Sequence, residues 1–235
     1  LFILNDLSNF AIKAIINPAT NLDDTKKAIE LAKKYDNFYA MAGIHPEDIE
    51  EICEKDLEEL ENLAKDPNVV AIGEIGLDYY WKDNNKDDQK KIFIHQLELA
   101  RKIDKPAVIH VRDAKGDIIE ILKDYQDLKI QIHCFSDDLE TLEKYMEMGF
   151  YISIGGVVTF SNGTNEQNAA RNVPIERLML ETDSPYLTPE PFRGLRNDPR
   201  RVVEVARKVA ELRDMKIDKL AKRTYNNSKE FFSLW

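Results

Sequence analysis

The chain alternates short runs of β-forming residues with amphipathic helical stretches, and this alternation restricts its fold more than any other feature. The β-like runs occupy residues 12–17, 38–44, 69–76, 106–111, 129–135, 150–156 and 177–183. The helical stretches begin near Asp23, cover about 54–65, 86–104, 116–125, 137–148 and 165–171, and run from about 199 to the C-terminus. Strands that alternate with helices in this way form a parallel sheet covered by helices. The pattern therefore predicts an α/β fold in a single domain, residues 1–235.

The number of β-like runs is one fewer than a closed (β/α)₈ barrel requires. The chain opens instead on a stretch in which Leu1, Leu4 and Leu7 suit one face of a helix, and it has no initiator methionine. We therefore expect a TIM (β/α)₈ barrel whose first strand is missing from the sequence as given. An open, doubly wound sheet of seven strands is the alternative.

Composition and charge limit the classes of protein to which the chain can belong. No apolar run reaches the ~20 residues of a membrane span, and no signal-peptide pattern opens the chain. We interpret Cys53 and Cys134 as reduced thiols of a cytoplasmic protein, although a single disulfide between them remains open. The net charge of −10 argues against a broadly basic nucleic-acid-coating surface. It leaves room for an enzyme that holds phosphate through metal ions and a few local arginines.

Polar side chains stand where several of the predicted strands end. In parallel α/β folds the functional site gathers at the carboxyl ends of the strands. The candidates at these ends are His45, Glu74, His110, His133 and Asp183. Three of the four histidines belong to this set, and the fourth, His95, lies inside a predicted helix and receives no role.

Imidazole and carboxylate groups from separate strands form a mixed nitrogen and oxygen ligand set. Such a set suits zinc, manganese or magnesium in hydrolytic centres. A buried carboxylate such as Glu74 is costly unless it is paired, so we interpret a metal ion as its partner. Structural interpretations compete with this one: a buried histidine can satisfy backbone groups, Asp183 can cap a helix, and Glu74 can pair with an arginine such as Arg112.

Six segments spread along the chain form a specific combination. They are GIHP at 43–46, GEIGLDYY at 73–80, KPAVIHVRDA at 105–114, IHCFS at 132–136, LETDSPYLTP at 180–189 and PFRGLRNDP at 191–199. Together they resemble the TatD-type metal-dependent deoxyribonucleases, whose motifs occur in the same order. The resemblance covers nearly the whole chain.

The resemblance implies an amidohydrolase-like TIM barrel that cleaves DNA phosphodiesters, as an exonuclease or an endonuclease, with one or two divalent ions (Mg, Mn or Zn). Glu74 corresponds to the metal-bridging catalytic glutamate, and His110 and His133 to the two histidines that hold one metal. Asp183 corresponds to the aspartate that holds the other metal beside the attacking water, which makes it our candidate general base. His45 matches a histidine near the substrate phosphate. No membrane or obligate protein partner is implied.

One departure from the family pattern concerns the start of the chain. The family begins with a strand that carries His-x-His, and those two histidines complete the first metal site. No such motif occurs in this sequence. This agrees with the strand count, which was made from the β-like runs alone.

Further residues near the strand ends have candidate roles in binding substrate or in orienting ligands. Arg193 and Arg196 lie in a Pro- and Gly-bearing loop and are expected to contact phosphate, whereas Arg200 and Arg201 suit a solvated helix. Asp78 and Arg112 are expected to orient metal ligands. Residues 79–81 are aromatic and could stack on bases or pack under a loop.

The ligand set alone leaves two other functions open. One is a metal-dependent hydrolase of a non-nucleic-acid substrate, such as an amide, a lactone or an aminoacyl ester. The other is a barrel that has lost its centre and no longer catalyses a reaction. A glutamate, rather than a lysine, at the bridging strand end favours the nuclease over the first of these.

Overall fold

The computed structural model describes residues 12–81 and 85–234, which divide into two compact units. The first unit comprises the described residues up to Ile130, and the second comprises those from Gln131 onward. The helix expected around Leu1, Leu4 and Leu7 lies outside the described residues. Each unit is an α/β assembly with its own apolar core.

The first unit contains four strands and four α-helices among its described residues. In chain order these are β1 Ile15–Asn17, α1 Leu22–Lys34, β2 Phe38–Ala42, α2 Glu54–Ala64, β3 Val69–Asp78, α3 Lys86–Lys102, β4 Ala107–Arg112 and α4 Lys115–Leu122. Short 3₁₀ helices cover Pro46–Asp48 and Lys123–Tyr125. The strands pair in parallel in the order β1-β2-β3-β4.

The second unit contains three strands and four α-helices among its described residues, with β5 beginning at the unit boundary. They are β5 Ile130–Ile132, α5 Leu139–Glu147, β6 Tyr151–Ile154, α6 Thr164–Asn172, β7 Leu178–Leu180, α7 Val202–Leu212 and α8 Ile217–Phe231. Short 3₁₀ helices cover Gly156–Thr159 and Pro199–Arg201. β6 pairs in parallel with both β5 and β7.

Local sequence signals explain where several helices begin. The Asn21 side chain accepts a hydrogen bond from the backbone N–H of Asp24 and so caps α1. Asp138 caps α5 in the same way by accepting from the N–H of Thr141. Acidic residues in the first turn of α1 and lysines in its last turn complement the helix dipole.

Apolar residues of the strands and of the inner helix faces make up the core of each unit. In the first unit the fully buried positions include Leu60, Ala71, Ile72, Leu97 and Ile109. In the second they include Ile152, Leu178, Val205, Val209 and Leu220. Strands covered on both faces read as nearly continuous apolar runs, which is the pattern of β3 and β6.

The predicted alternation of strands and helices is confirmed. Seven strands lie within the described residues, one in each predicted β-like run, and the pairings given above are all parallel. The missing first strand and the single domain stay predictions. None of the helices in the described residues is long and apolar enough to cross a membrane.

A candidate metal centre in each unit

A β-bulge in β3 directs Glu74. Between Ile72 and Ile75 the ladder advances by three residues in β3 but by two in β4, so β3 holds one extra residue. The bulged backbone bonds to the loop after β1, where the N–H of Glu74 donates to the carbonyl of Ala19 at 3.0 Å. The Glu74 carboxylate is thereby held among imidazoles instead of packing in the apolar sheet.

His110, on β4, lies between two carboxylates of β3. Its Nδ1 is 2.8 Å from Glu74 Oε1, and its Nε2 is 2.9 Å from Asp78 Oδ2. The two strands approach closely here because Gly76 pairs with His110. Gly76 has φ +148°, and a Cβ atom at this position would lie 2.0 Å from the His110 carbonyl oxygen. We call Asp78, His110 and Glu74 the first triad.

Asp78 is the carboxylate that fixes the His110 ring. Its Oδ1 accepts from the backbone N–H of Tyr80 at 2.9 Å and of Trp81 at 3.4 Å. Burial alone would raise the pKa of Asp78, but the hydrogen bonds from His110 and from these two amides outweigh burial and place the pKa below its usual value. Asp78 is therefore ionised and can only accept, so Nε2 of His110 carries the proton.

The other nitrogen of His110 then turns its lone pair toward a carboxylate oxygen. Two acceptors 2.8 Å apart, Nδ1 and Glu74 Oε1, repel each other unless a proton or a cation lies between them. Metal–ligand bonds to imidazole nitrogen and carboxylate oxygen are about 2.0–2.2 Å long, so two ligands of one ion stand about 3 Å apart. The Glu74–His110 pair therefore fits a divalent ion.

His45 completes the cluster but offers a different atom. The ligand atoms of His45, Glu74 and His110 lie within 4.8 Å of one another. Nδ1 of His45 accepts from the backbone N–H of Glu47 at 3.2 Å, and its Nε2 is 3.8 Å from Glu74 Oε1. Burial is the largest cause that lowers the pKa of His45 to about 4, so the ring is neutral at pH 7. Its proton is on Nε2, and His45 thus presents a hydrogen-bond donor.

In the second unit His133 likewise lies between two carboxylates. Its Nδ1 is 2.7 Å from Glu181 Oε2, and its Nε2 is 3.4 Å from Asp183 Oδ1. Ser153, on β6, donates to the same Glu181 oxygen at 2.5 Å. The backbone N–H of Glu181 donates to the carbonyl of Ile154, which extends the β6–β7 pairing by one residue. We call Glu181, His133 and Asp183 the second triad.

The loop after β7 holds Asp183 at the surface. Asp183 has φ +55°, a left-handed conformation that turns the chain out of the strand direction. Asn197 is buried and donates to the carbonyls of Thr182 at 2.7 Å and Tyr186 at 2.6 Å, which ties the far end of the loop to its start. The Asp183 side chain stays 28% exposed, so its carboxylate is open to water.

The arginines named from the sequence take up separate positions. Arg193 is exposed and lies over the Phe160 ring at 3.8 Å, and Arg196 is exposed. Arg200 lies in the short 3₁₀ helix Pro199–Arg201 and pairs with Asp198 through two bonds of 2.8 Å.

Arg112 and His95 complete the positions named from the sequence. The Arg112 guanidinium lies 3.9 Å from the centre of the exposed Tyr80 ring, so it stacks on an aromatic side chain beside the first triad. His95 is exposed on α3, as expected of a residue inside a helix.

Glu181 of the second triad and Ser153, which donates a hydrogen bond to it, were not predicted as site residues. Glu181 precedes Asp183 by two residues in the segment LETDSP, and Ser153 is the one polar side chain in the apolar run YISI. A polar residue inside a buried strand indicates that Ser153 needs a hydrogen-bond partner, but no local signal identifies Glu181 as that partner.

Comparison with known sequences identifies relatives along nearly the whole chain. The sequence model of the family described as TatD related DNase matches residues 3–233. The chain is 41% identical over 210 residues to the uncharacterized metal-dependent hydrolase YabD of Bacillus subtilis, covering 88% of this chain and 82% of that protein. It is 39% identical over 225 residues to the uncharacterized metal-dependent hydrolase YcfH of Escherichia coli K12, covering 95% and 84%.

Comparison with solved structures gives the same result. The TatD homologue YjjV of Escherichia coli K12 superposes with a TM-score of 0.93 and 29% identity, covering 99% of this chain and 91% of that chain. The organophosphorus hydrolase of Deinococcus radiodurans superposes with a TM-score of 0.68 over 98% of this chain and 82% of that chain. Its 11% identity supports a common α/β fold and nothing further.

Proposed function

The chain belongs to the TatD family of metal-dependent hydrolases, and on that premise we propose that it hydrolyses phosphodiester bonds of DNA with one or two divalent metal ions. The observation that carries the proposal is the pair of triads, each with an imidazole nitrogen facing the carboxylate of a strand-end residue. In both triads the second ring nitrogen faces a carboxylate oxygen, at 2.8 Å in the first and 3.4 Å in the second, and a divalent ion could bind to both atoms of such a pair.

The residues that would hold metal in the first unit are Glu74 and His110, and in the second His133 and Asp183. Neutral imidazole and ionised carboxylate suit zinc, manganese or magnesium. A divalent ion bound there would polarise phosphoryl oxygens and lower the pKa of a coordinated water to about 7.

The chain's own groups would divide the remaining tasks. Asp183, being partly exposed, is the candidate general base that removes the proton from the attacking water. His45 donates Nε2–H and suits a phosphate oxygen of the substrate. Arg193 and Arg196 place positive charge on an exposed loop of an acidic protein, where they would position DNA phosphates. Asp78 and Glu181 would hold the two imidazoles in place.

The test is hydrolysis of labelled single-stranded DNA by the whole protein with magnesium, manganese or zinc supplied singly. We expect cleavage that needs one of these ions and that ends when a chelator is added. Asp183→Asn keeps the size of the side chain but removes the base, so it should lower kcat by about 10² or more. His95→Gln is the matched control for histidine variants, because His95 is exposed on α3 and belongs to neither triad.

Parallel assays with an amide, a lactone and an aminoacyl ester distinguish the other functions. Metal-dependent turnover of one of these, with intact DNA, would assign the protein to a different hydrolytic reaction. Bound metal without turnover of any substrate would mark the barrel as non-catalytic. Near-normal DNA cleavage by Asp183→Asn with full metal content would remove Asp183 from the role of base.

A further inference from the structure

We propose that Glu181, anchored by Ser153, is a positioning residue that sets the tautomer of His133 and thereby makes Nε2 the nitrogen offered to a metal ion. The inference deepens the proposed function in its metal-binding part and does not depend on the substrate being DNA.

One oxygen of the Glu181 carboxylate, Oε2, makes both of its side-chain contacts. Its Oε2 receives both the Ser153 hydroxyl at 2.5 Å and the Nδ1 side of His133 at 2.7 Å. Its Oε1 is buried and has no hydrogen-bond partner among the residues that the structure describes. The carboxylate is therefore oriented toward His133 by Ser153 and is not engaged elsewhere in the described part of the chain.

A carboxylate acceptor at Nδ1 determines where the imidazole proton lies. An ionised carboxylate can only accept, so Nδ1 of His133 must donate. A neutral ring has one N–H, so Nε2 keeps its lone pair, and this nitrogen faces Asp183 Oδ1 at 3.4 Å. A proton on Nε2 would instead block metal binding at that atom.

Ser153 is placed to keep the carboxylate in this orientation. It is fully buried on β6, and its Oγ accepts from the backbone N–H of Cys134, the residue after His133, at 3.2 Å. Its single hydroxyl proton has two acceptors within reach, Glu181 Oε2 at 2.5 Å and the Ile132 carbonyl at 3.4 Å, and the shorter contact directs the proton to Glu181. The serine thus links the backbone beside the histidine to the acid that holds the ring.

The first test measures the tautomer directly in metal-free protein. The chain has four histidines, so long-range ¹⁵N–¹H correlation spectra of the imidazoles are tractable, and His133→Gln identifies the signals of His133. At about pH 8, where an ordinary imidazole is neutral, we expect the Nδ1–H form for His133. An Nε2–H form in the unaltered protein would overturn the proposal.

The second test changes the acid. Glu181→Gln offers an amide that can donate to Nδ1, so we expect the Nε2–H form of His133 to become populated. Zinc affinity, measured by competition with a chromogenic chelator, should fall about 10- to 100-fold. Glu166→Gln is the matched control, because Glu166 is a buried glutamate of the second unit that lies on α6 and belongs to neither triad. It should leave the tautomer and the affinity unchanged.

The outcomes separate this proposal from the proposed function. Unchanged tautomer and zinc affinity in Glu181→Gln would refute the positioning role, even in a protein that cleaves DNA. The expected changes would support it even in a protein that cleaves no DNA. If Glu181→Gln does not fold, Ser153→Ala serves as the second variant, with restored affinity in Ser153→Thr as the expected rescue and no loss in Ser153→Ala as the contrary result.

Discussion

The two triads use the same groups but opposite nitrogens of the ring. In the first, Asp78 binds Nε2 of His110 and leaves Nδ1 facing Glu74 at 2.8 Å. In the second, Glu181 binds Nδ1 of His133 and leaves Nε2 facing a carboxylate at 3.4 Å. In the proposed metal sites, the nitrogen that would bind the ion therefore follows from which side of the ring the holding carboxylate occupies, and not from the histidine itself.

The holding carboxylates also differ in what else they support. Asp78 accepts two backbone amides in addition to His110, so it stabilises the turn after β3 as well as the ring. Glu181 has Ser153 and His133 as partners of Oε2 and a buried, unpartnered Oε1 among the described residues. We infer that the first triad is built into the stability of its unit and that the second can be altered with less structural cost.

The largest expected contrast concerns the glycines beside the triads. In Gly76→Ala the new methyl would lie 2.0 Å from the His110 carbonyl at φ +148°, so β3 and β4 must separate. We expect a loss of about 3 kcal/mol or more in the free energy of unfolding, measured by urea denaturation. In Gly155→Ala the methyl would lie 3.2 Å from Cys134 Sγ and 3.5 Å from Glu181 Oε1. We expect this milder crowding to lower the free energy of unfolding by about 1 kcal/mol. Equal losses in the free energy of unfolding for the two variants would contradict the inference that the first triad contributes more to stability than the second.

The next contrast concerns metal binding. A ligand present at 100 times its dissociation constant stabilises a protein by about 2.7 kcal/mol, so zinc should raise the Tm of the protein and a chelator should reverse the rise. We expect His110→Gln to reduce this rise in Tm more than His133→Gln does. The nitrogen and oxygen atoms that would bind metal are 2.8 Å apart in the Glu74–His110 pair, whereas they are 3.4 Å apart in the His133–Asp183 pair. His95→Gln should keep the full rise. A smaller rise in Tm for His133→Gln than for His110→Gln would contradict this prediction.

More of the first triad than of the second could be predicted from the sequence. Glu74, His110 and Asp78 all lie on neighbouring strands whose apolar runs and following polar residues are visible in the sequence. What could not be predicted is the bulge that directs Glu74, because a register shift depends on the partner strand and on the loop carrying Ala19. The parallel α/β class followed from periodicity alone.

The second triad shows the limit of strand-end reasoning. That reasoning selects one polar residue for each strand end, so it selected Asp183 and passed over Glu181, two residues earlier. Ser153 lies within β6, where the pattern of YISI indicates only a buried strand. Its contact with Glu181 depends on the pairing of β6 with β7, a relation that no local pattern contains.

A third contrast compares Asp78→Asn with Glu181→Gln in the metal-free protein. Asp78→Asn turns one acceptor into a donor beside the N–H of His110. We expect it to lower the free energy of unfolding by about 2 kcal/mol, whereas Glu181→Gln should lower it by about 1 kcal/mol. The lowered pKa of Asp78 means that its contribution is present above the unfolded pKa of about 3.9 and lost as the pH falls below it.

Urea titrations at neutral pH and in acid would check both parts of this prediction. The difference in the free energy of unfolding between the unaltered protein and Asp78→Asn should narrow in acid. A difference that is independent of pH would show that Asp78 acts by packing and not by its charge.

The smallest expected effect belongs to Ser153. Ser153→Ala removes one buried hydrogen bond to a carboxylate and should lower the free energy of unfolding by about 1 kcal/mol. Among the residues that the structure describes, its hydroxyl has no counterpart in the first triad, where backbone amides of Tyr80 and Trp81 orient Asp78. The substitution should therefore weaken zinc binding through His133 while leaving the ¹⁵N signals of His110 in place. A change in the His110 signals as large as that in the His133 signals would mean that the triads respond together, and the serine would then be a general support of the fold.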